Sequence, residues 1–272
     1  VVGAAAVAAS GILVLIILFI VRESWPALER VGIMRFLTDA SWHPTEDSFN
    51  MVPMLAASFA VSAGAVLLAA PLGVASALFQ RFYAPRWLAK LFYWVVVLLA
   101  GIPSVVLGLW GLTVIVPLIG WLQPPGTSLI AGSLILALMI VPTIALTSEA
   151  ALEAVPGSYW NGAMALGLSR EGALLGVLLP AARGGIAAGV LLAAARALGE
   201  TMVVLMVTGN VVQMPDSLFT SVRALTANIA LEMAYALGDH RSSLFVSGLA
   251  LTLLVLVVSV AAAQLGGGRP RG

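Results

Sequence analysis

Between Lys90 and Glu149 the chain reads LFYWVVVLLAGIPSVVLGLWGLTVIVPLIGWLQPPGTSLIAGSLILALMIVPTIALTS (91–148), 58 residues without a charge. A helix crosses the hydrocarbon core of a bilayer with about 20 apolar residues. The run therefore holds two crossings, and the turn cluster Gln123-Pro124-Pro125-Gly126 divides it into spans over 90–117 and 128–148. Four more uncharged or nearly uncharged stretches flank this pair: Val1 to Val21, Phe49 to Gln80, Gly184 to Gly209 and Ser242 to Gly268. The fifth span is apolar except for Arg196 and Glu200. The expectation is an all-α integral membrane protein of six transmembrane helices, one domain over residues 1–272. A transmembrane β-barrel would alternate with period two, and these runs do not.

Composition points the same way. Of 272 residues, 61% are hydrophobic and 9% charged, with a mean hydropathy of +1.08. A soluble domain carries about a quarter charged residues, so a soluble enzyme, a disordered chain and a nucleic-acid binder are excluded. The net charge of +1 gives no polyanion signal, and the absence of cysteine excludes disulfides and thiolate chemistry. Val1 to Val21 runs straight into Arg22-Glu23 with no basic region before it, which predicts a retained anchor helix rather than a cleaved leader.

Basic residues orient the spans. Segments 80–90, 149–183 and the C-terminal tail hold seven bases (Arg81, Arg86, Lys90, Arg170, Arg183, Arg269, Arg271) against three acids (Glu149, Glu153, Glu171). The opposite segments hold five bases and eight acids. The first set is expected to be cytoplasmic, with both termini inside. Pro71, Pro103 and Pro142 fall within spans, where they kink helices whose neighbours satisfy the freed carbonyls. Trp25, Trp87 and Trp121 fall near span ends, where indoles favour the interface.

The inner segment 149–183 reads as two short helices. One starts after Pro156 and stops at Gly167; the other is capped by Ser169. A short exposed helix between two spans is a docking knob for a cytoplasmic partner. In the fifth span Arg196 and Glu200 stand four residues apart, which on a continuous helix puts them on one face near the bilayer centre. Ionised groups at that depth are costly and usually functional. Arg offers a fork of donors to an oxyanion, so Arg196 is expected to contact or gate a passing oxyanion, with Glu200 as its ion-pair partner. Ser104, beside Pro103, is a candidate for the same path.

Several motifs resemble a known family. Gly167, nine residues, Val177, one residue, Leu179-Pro180 is similar to the EAA loop of ABC-transporter permeases, whose coupling helix sits in a groove of a cytoplasmic ATPase. Asn161-Gly162-Ala163 stands where that family has Glu-Ala-Ala. The stretches Arg196-Ala-Leu-Gly-Glu200-Thr201, Ala100 to Leu112 and Leu218 to Met233 resemble phosphate ABC permeases, and the second and third resemble the PstC-type subunit. The resemblance implies a type I ABC importer permease fold in the bacterial inner membrane. It implies Arg196, Glu200 and Thr201 on the substrate path, and Asn161, Gly162, Ala163, Gly167, Ser169, Val177, Leu179 and Pro180 at the ATPase. It also implies a PstA-type second permease, two PstB-type ATPase subunits that carry ATP and Mg, and a PstS-type phosphate-binding protein outside. No cofactor is expected on this chain.

Two readings from the residues stay open beside that one: a permease for sulfate or molybdate, and a proton-coupled carrier relaying through Glu200. An intramembrane protease is not supported, because all four aspartates and both histidines fall in outer segments. The only lysine is Lys90, so there is no phosphate-binding Gly-Lys-Ser/Thr loop. In the outer segment 210–241, Leu218, Val222, Leu225, Ile229, Met233 and Leu237 recur every three to four residues, which predicts an amphipathic helix with Ser217, Ser221, Asn228 and Glu232 on its polar side. His43 and His240 are expected at the surface, apart from any metal site.

Overall fold

The computed structural model describes residues 2–266, and Arg269 and Arg271 lie outside the described residues. The chain opens with α1 (Val2–Arg30), α2 (Arg35–Thr38) and a two-stranded hairpin of β1 (Trp42–His43) and β2 (Ser48–Phe49). Then come α3 (Val52–Leu78), α4 (Arg86–Gly101), α5 (Ser104–Trp110), α6 (Val116–Leu122) and α7 (Leu129–Glu153). The second half holds α8 (Gly157–Ala165), α9 (Arg170–Ala173), α10 (Leu179–Leu198), α11 (Met202–Val207), α12 (Leu225–Glu232) and α13 (Gly238–Gly266). Three π-helical turns, Phe79–Tyr83, Gly111–Ile115 and Leu174–Leu178, extend α3 and join α5 to α6 and α9 to α10. The last two each end just before a Val-Pro or Leu-Pro pair, Pro117 and Pro180. A proline ring clashes with the carbonyl four residues back, and a widened turn makes room for it.

Among the described residues, six helices are long and apolar enough to cross a membrane, as the sequence predicts. Two boundaries differ from expectation. The third crossing is Ser104–Leu122 rather than 90–117. Pro103 pushes Ile102 into extended geometry (ψ 127°), so α4 stops at Gly101 and a new helix begins at Ser104. The fifth crossing is Arg170–Leu198 rather than 184–209. It starts inside the predicted cytoplasmic loop and breaks at Gly199. Pro71 and Pro142 stay within intact helices.

Small residues set the packing. Gly64 lies against Ser133, Gly132 against Val61 and Gly73 against Ile144, so α3 and α7 run parallel in close contact. Gly185 meets Ala151 and Gly189 meets Thr147, which makes α10 antiparallel to α7. A Cβ at Gly189 would sit 2.2 Å from the Thr147 hydroxyl, so only glycine allows this approach. α1 packs antiparallel on α13, with Phe19 edge-on to Phe245 at 5.7 Å and Arg30 bonded to Asp239 at 3.1 Å. Relative helix directions thus alternate as six crossings require. Large apolar side chains such as Leu15, Leu67, Leu98 and Val257 point outward, where a lipid-facing surface needs them.

The hairpin closes one end of the bundle. Phe36, Trp42, Phe49, Met51 and Met54 pack with Leu225 and Leu244. Asp39 pins it: its Oδ2 accepts the Phe49 amide at 2.9 Å, and Arg35 pairs with it at 3.2 Å. The Phe49 amide, with Arg35 alongside, holds the Asp39 carboxyl below the ordinary carboxylate range despite desolvation. Because the folded value is the lower one, this group stabilises the hairpin at neutral pH. That contribution is lost as pH falls through the folded value. Asp39→Asn is expected to speed amide exchange across 42–50 at pH 7 while leaving α7 protected; unchanged exchange there would show that the carboxylate does not hold the hairpin.

Candidate functional site

The fifth crossing ends where the sequence places its charged pair. α10 carries Arg196 in its last turn and stops at Leu198, and the chain passes through Gly199 and Glu200 before α11 begins beyond Thr201. The break separates the two charges that a continuous helix would have stacked. Arg196 Nη1 donates to Thr143 Oγ1 at 3.3 Å. Glu200 Oε1 instead accepts the amides of Met202 at 3.1 Å and Val203 at 3.4 Å. The expected Arg196–Glu200 ion pair is therefore replaced by a helix cap. The physical reason is local: the first amides of α11 have no intrahelical acceptors, and a carboxylate at a helix N-terminus meets them with favourable charge.

Arg196 is exposed on the surface of this chain, and among the described residues no carboxylate pairs with it. Its partner Thr143 lies 14 residues after Leu129 and 10 before Glu153, near the middle of α7. The guanidinium thus sits midway along the bundle with most of its donors free. Thr143 follows Pro142, and its carbonyl accepts the Thr147 hydroxyl at 2.8 Å. The proline-threonine step at 142–143, midway along the span, was the available sequence signal for Thr143.

Thr201 is half-buried, with its hydroxyl 3.5 Å from the Gly199 carbonyl. Ser104 is also half-buried at the start of α5. Gly108 packs on Val203, and Gly111 on Val207, so α5 and its π turn run parallel to α11. That register puts Ser104, one turn before Gly108, at the level of the Gly199–Thr201 break.

Beyond α11 the chain folds back into the bundle. The expected long amphipathic helix over 218–237 is only α12; residues 209–224 form a loop bonded to the bundle. On either side of Gly209 the Asn210 amide donates to the Val222 carbonyl and the Val222 amide to the Thr208 carbonyl, and the Leu129 and Ile130 amides reach the Thr220 and Leu218 carbonyls. The Thr226 hydroxyl donates to the Glu200 carbonyl at 2.8 Å, which ties α12 to the break. Glu232, expected on a polar face, is buried instead. It accepts from Trp42 Nε1 at 2.9 Å and Arg223 Nη1 at 2.8 Å, and His240 Nε2 lies 2.9 Å away. His240 is accordingly mostly buried rather than at the surface, since the buried carboxylate needs the partner. His43 is exposed. Arg223, Glu232 and His240 are 9 and 8 residues apart in sequence, a spacing with no helical reading.

At the opposite end, the first of the two short helices expected in 149–183 forms, whereas the second is the start of the fifth crossing. α8 follows Pro156, and Gly167 adopts φ +75°. The Gly167 amide bonds Met164 and the Leu168 amide bonds Ala163, a Schellman closure that a side chain at Gly167 would strain. Ser169 Oγ caps the next helix through the Gly172 amide at 3.1 Å. Ala163 is buried, whereas Asn161 and Gly162 are exposed. Val177 falls in the π turn, and Leu179-Pro180 opens α10. Arg170 to Leu198 forms one continuous 29-residue helical element, linking this loop to Arg196.

If Glu200 works as a cap, Glu200→Ala is expected to destabilise α11 by about 1 kcal/mol, seen as faster exchange of the Met202 to Val204 amides. Glu200→Gln, which keeps an acceptor, is expected to retain most of that protection. An ion-pair role would make the two substitutions equally damaging.

Comparison with known proteins agrees with this architecture. Residues 69–266 match the family model described as binding-protein-dependent transport system inner membrane component. The chain is 39% identical to the probable ABC transporter permease protein YqgH of Bacillus subtilis, over 83% of this chain and 74% of that protein. It is 34% identical to the phosphate transport system permease protein PstC of Mesorhizobium japonicum (92% and 86% covered), and 32% identical to PstC of Haemophilus influenzae (91% and 86%). Among solved structures, the inward-facing MetNI methionine ABC transporter superposes with a TM-score of 0.60 at 20% identity, over 80% of this chain and 93% of that one. Six alternating crossings, the broken fifth helix and the loop at 157–180 together with these matches place the chain: it belongs to the family of binding-protein-dependent transport system inner membrane components.

Proposed function

We propose that this chain is the PstC-type permease subunit of an ATP-driven phosphate importer. One observation carries the reading: midway along the bundle Arg196 presents a guanidinium that no carboxylate among the described residues pairs with, at the end of a helix continuous with the loop at 157–180. Phosphate is taken from the PstC relatives, because the fork of an Arg suits any tetrahedral oxyanion equally well.

In this reading both termini and residues 149–183 face the cytoplasm. α8 is the coupling helix, and Tyr159, Met164, Leu166 and Leu168 on and after it expose the apolar surface an ATPase groove would cover. The partners are a PstA-type permease completing the path, two PstB-type ATPase subunits holding ATP and Mg, and a PstS-type binding protein delivering phosphate from outside. This chain itself performs no catalysis and holds no cofactor.

The chemistry follows from the geometry. Arg196 attracts the passing anion and offers it paired donors. Thr143 holds the guanidinium in place, and Glu200 remains engaged by the α11 amides rather than competing for it. Closure of the ATPase pair moves α8 and α9, and the helical element from Arg170 to Leu198 carries that motion to Arg196 and to the break beyond it. Thr226 extends the connection to α12 and the outer cluster around Glu232.

The test is labelled phosphate uptake into proteoliposomes holding this chain with the four partner components. Uptake is expected to require ATP and to resist excess sulfate. Arg196→Gln is expected to lower it about tenfold to a hundredfold, the scale of one lost charged hydrogen-bond pair. Uptake driven by a proton gradient without ATP would overturn the reading, and sulfate competition equal to phosphate would reassign the substrate.

A further inference from the structure

A second set of cations lies at the other end of the bundle, far from Arg196 in the fold. A concave cavity of about 500 Å³ opens between the π turn after α3, the end of α7, α8 and α9. Arg81, Phe82, Pro156, Trp160, Asn161 and Arg170 are among its walls. Arg81 comes from the turn at 79–83 and Arg170 from the start of α9.

Neither arginine has a carboxylate within ion-pair distance among the described residues. Glu149 accepts from Gln80 at 2.6 Å, and Glu153 and Glu171, which adjoin the lining residues Leu152 and Arg170, pair with neither arginine. Both guanidiniums rest on aromatic rings instead: Arg170 lies 4.8 Å from the centroid of Tyr83, and Arg81 5.8 Å from that of Phe82. Phe82 in turn stacks on Trp160 at 5.5 Å. These contacts position the cations without neutralising them. The Asn161 amide adds a neutral donor at the same wall. The start of α8 at Pro156–Gly157, which carries no side-chain cap, adds potential of the same sign.

We propose that this cavity is an anion site for a phosphate group, supplied either by the headgroup of an acidic phospholipid or by free inorganic phosphate. Two guanidiniums from different elements lining one cavity match an anion with several acceptor oxygens. A single carboxylate would satisfy one fork and leave the other idle. An anion held there joins the end of α3 to α8 and α9. It therefore stiffens the segment that the proposed coupling motion must move, and its occupancy sets how readily that segment responds.

The experiment uses the full chain in nanodiscs, as wild type and as Arg81→Gln, Arg81→Gln/Arg170→Gln, Arg81→Lys/Arg170→Lys and Arg196→Gln. One arm measures binding of labelled inorganic phosphate in discs of phosphatidylcholine alone. The other measures phosphatidylglycerol retained by the protein in native mass spectrometry. The double Gln variant is expected to lose about tenfold or more in one arm, which identifies the source, with Arg81→Gln intermediate. The double Lys variant, which keeps both charges, is expected to recover part of that binding. The share of binding lost in the double Gln variant is expected to persist in Arg196→Gln, so any phosphate held at Arg196 is counted apart from the cavity. Unchanged binding in both arms overturns the proposal, as does loss of phosphate in Arg196→Gln alone. So does a double Gln variant that binds both probes normally and loses only its association with the ATPase, which would assign the arginines to carboxylates of that partner.

Discussion

A polypeptide inside a bilayer must satisfy its own backbone polar groups, because no water is present to do so. The break at Gly199–Thr201 is the point where this chain meets that constraint most severely. A carboxylate answers the first amides of α11, and the Thr226 hydroxyl answers the Glu200 carbonyl. Once Glu200 is committed there, Arg196 is released from it and turns to Thr143. The free cation of the site is thus a consequence of how a broken helix closes its hydrogen bonds.

The break is tolerable only because the surrounding helices fit closely. In lipid the apolar effect does little to bring helices together, so contact must come from shape. Gly64, Gly73, Gly132 and Gly189 let α3, α7 and α10 approach to backbone distance, with large apolar side chains left for the outer surface. The loop at 209–224 then finds backbone partners in the start of α7 and seals the end of the bundle. The buried Glu232 is satisfied by three different elements: the hairpin through Trp42, the loop through Arg223 and α13 through His240. Removing any one of them would leave part of a buried charge uncompensated.

One rod joins the loop end of the molecule to its middle. The helical element from Arg170 to Leu198 begins at the aromatic and basic cluster near Trp160 and ends at Arg196. Its π turn at 174–178 lies just before Leu179-Pro180, where a proline would otherwise clash with the preceding turn. The spacing from Gly167 to Pro180 therefore has a structural meaning: a left-handed glycine closes α8, Ser169 starts the next helix, and the widened turn carries it past the proline.

Much of this was legible in the residues. Long uncharged runs fixed the number of crossings, since hydrocarbon admits little else. Pro156, Gly167 and Ser169 fixed where α8 starts and stops and where the next helix begins, because caps and left-handed glycines act within a few residues. The end of α4 at Gly101 was also local, written in Ile102-Pro103, yet apolar composition alone reads straight across it. Three features were decided by tertiary structure. Arg196 and Glu200 have the spacing of a helical pair, but the helix ends between them and each finds a partner elsewhere. The period of Leu218 to Leu237 suits a helix, but bonds to Thr208, Asn210 and the start of α7 hold part of it as a loop. Glu232 and His240 look like surface residues until Trp42, 190 residues away from Glu232 in sequence, closes over them. Local chemistry specifies where helices start and stop. Which polar groups remain free to meet a ligand depends on partners that only the folded chain brings together.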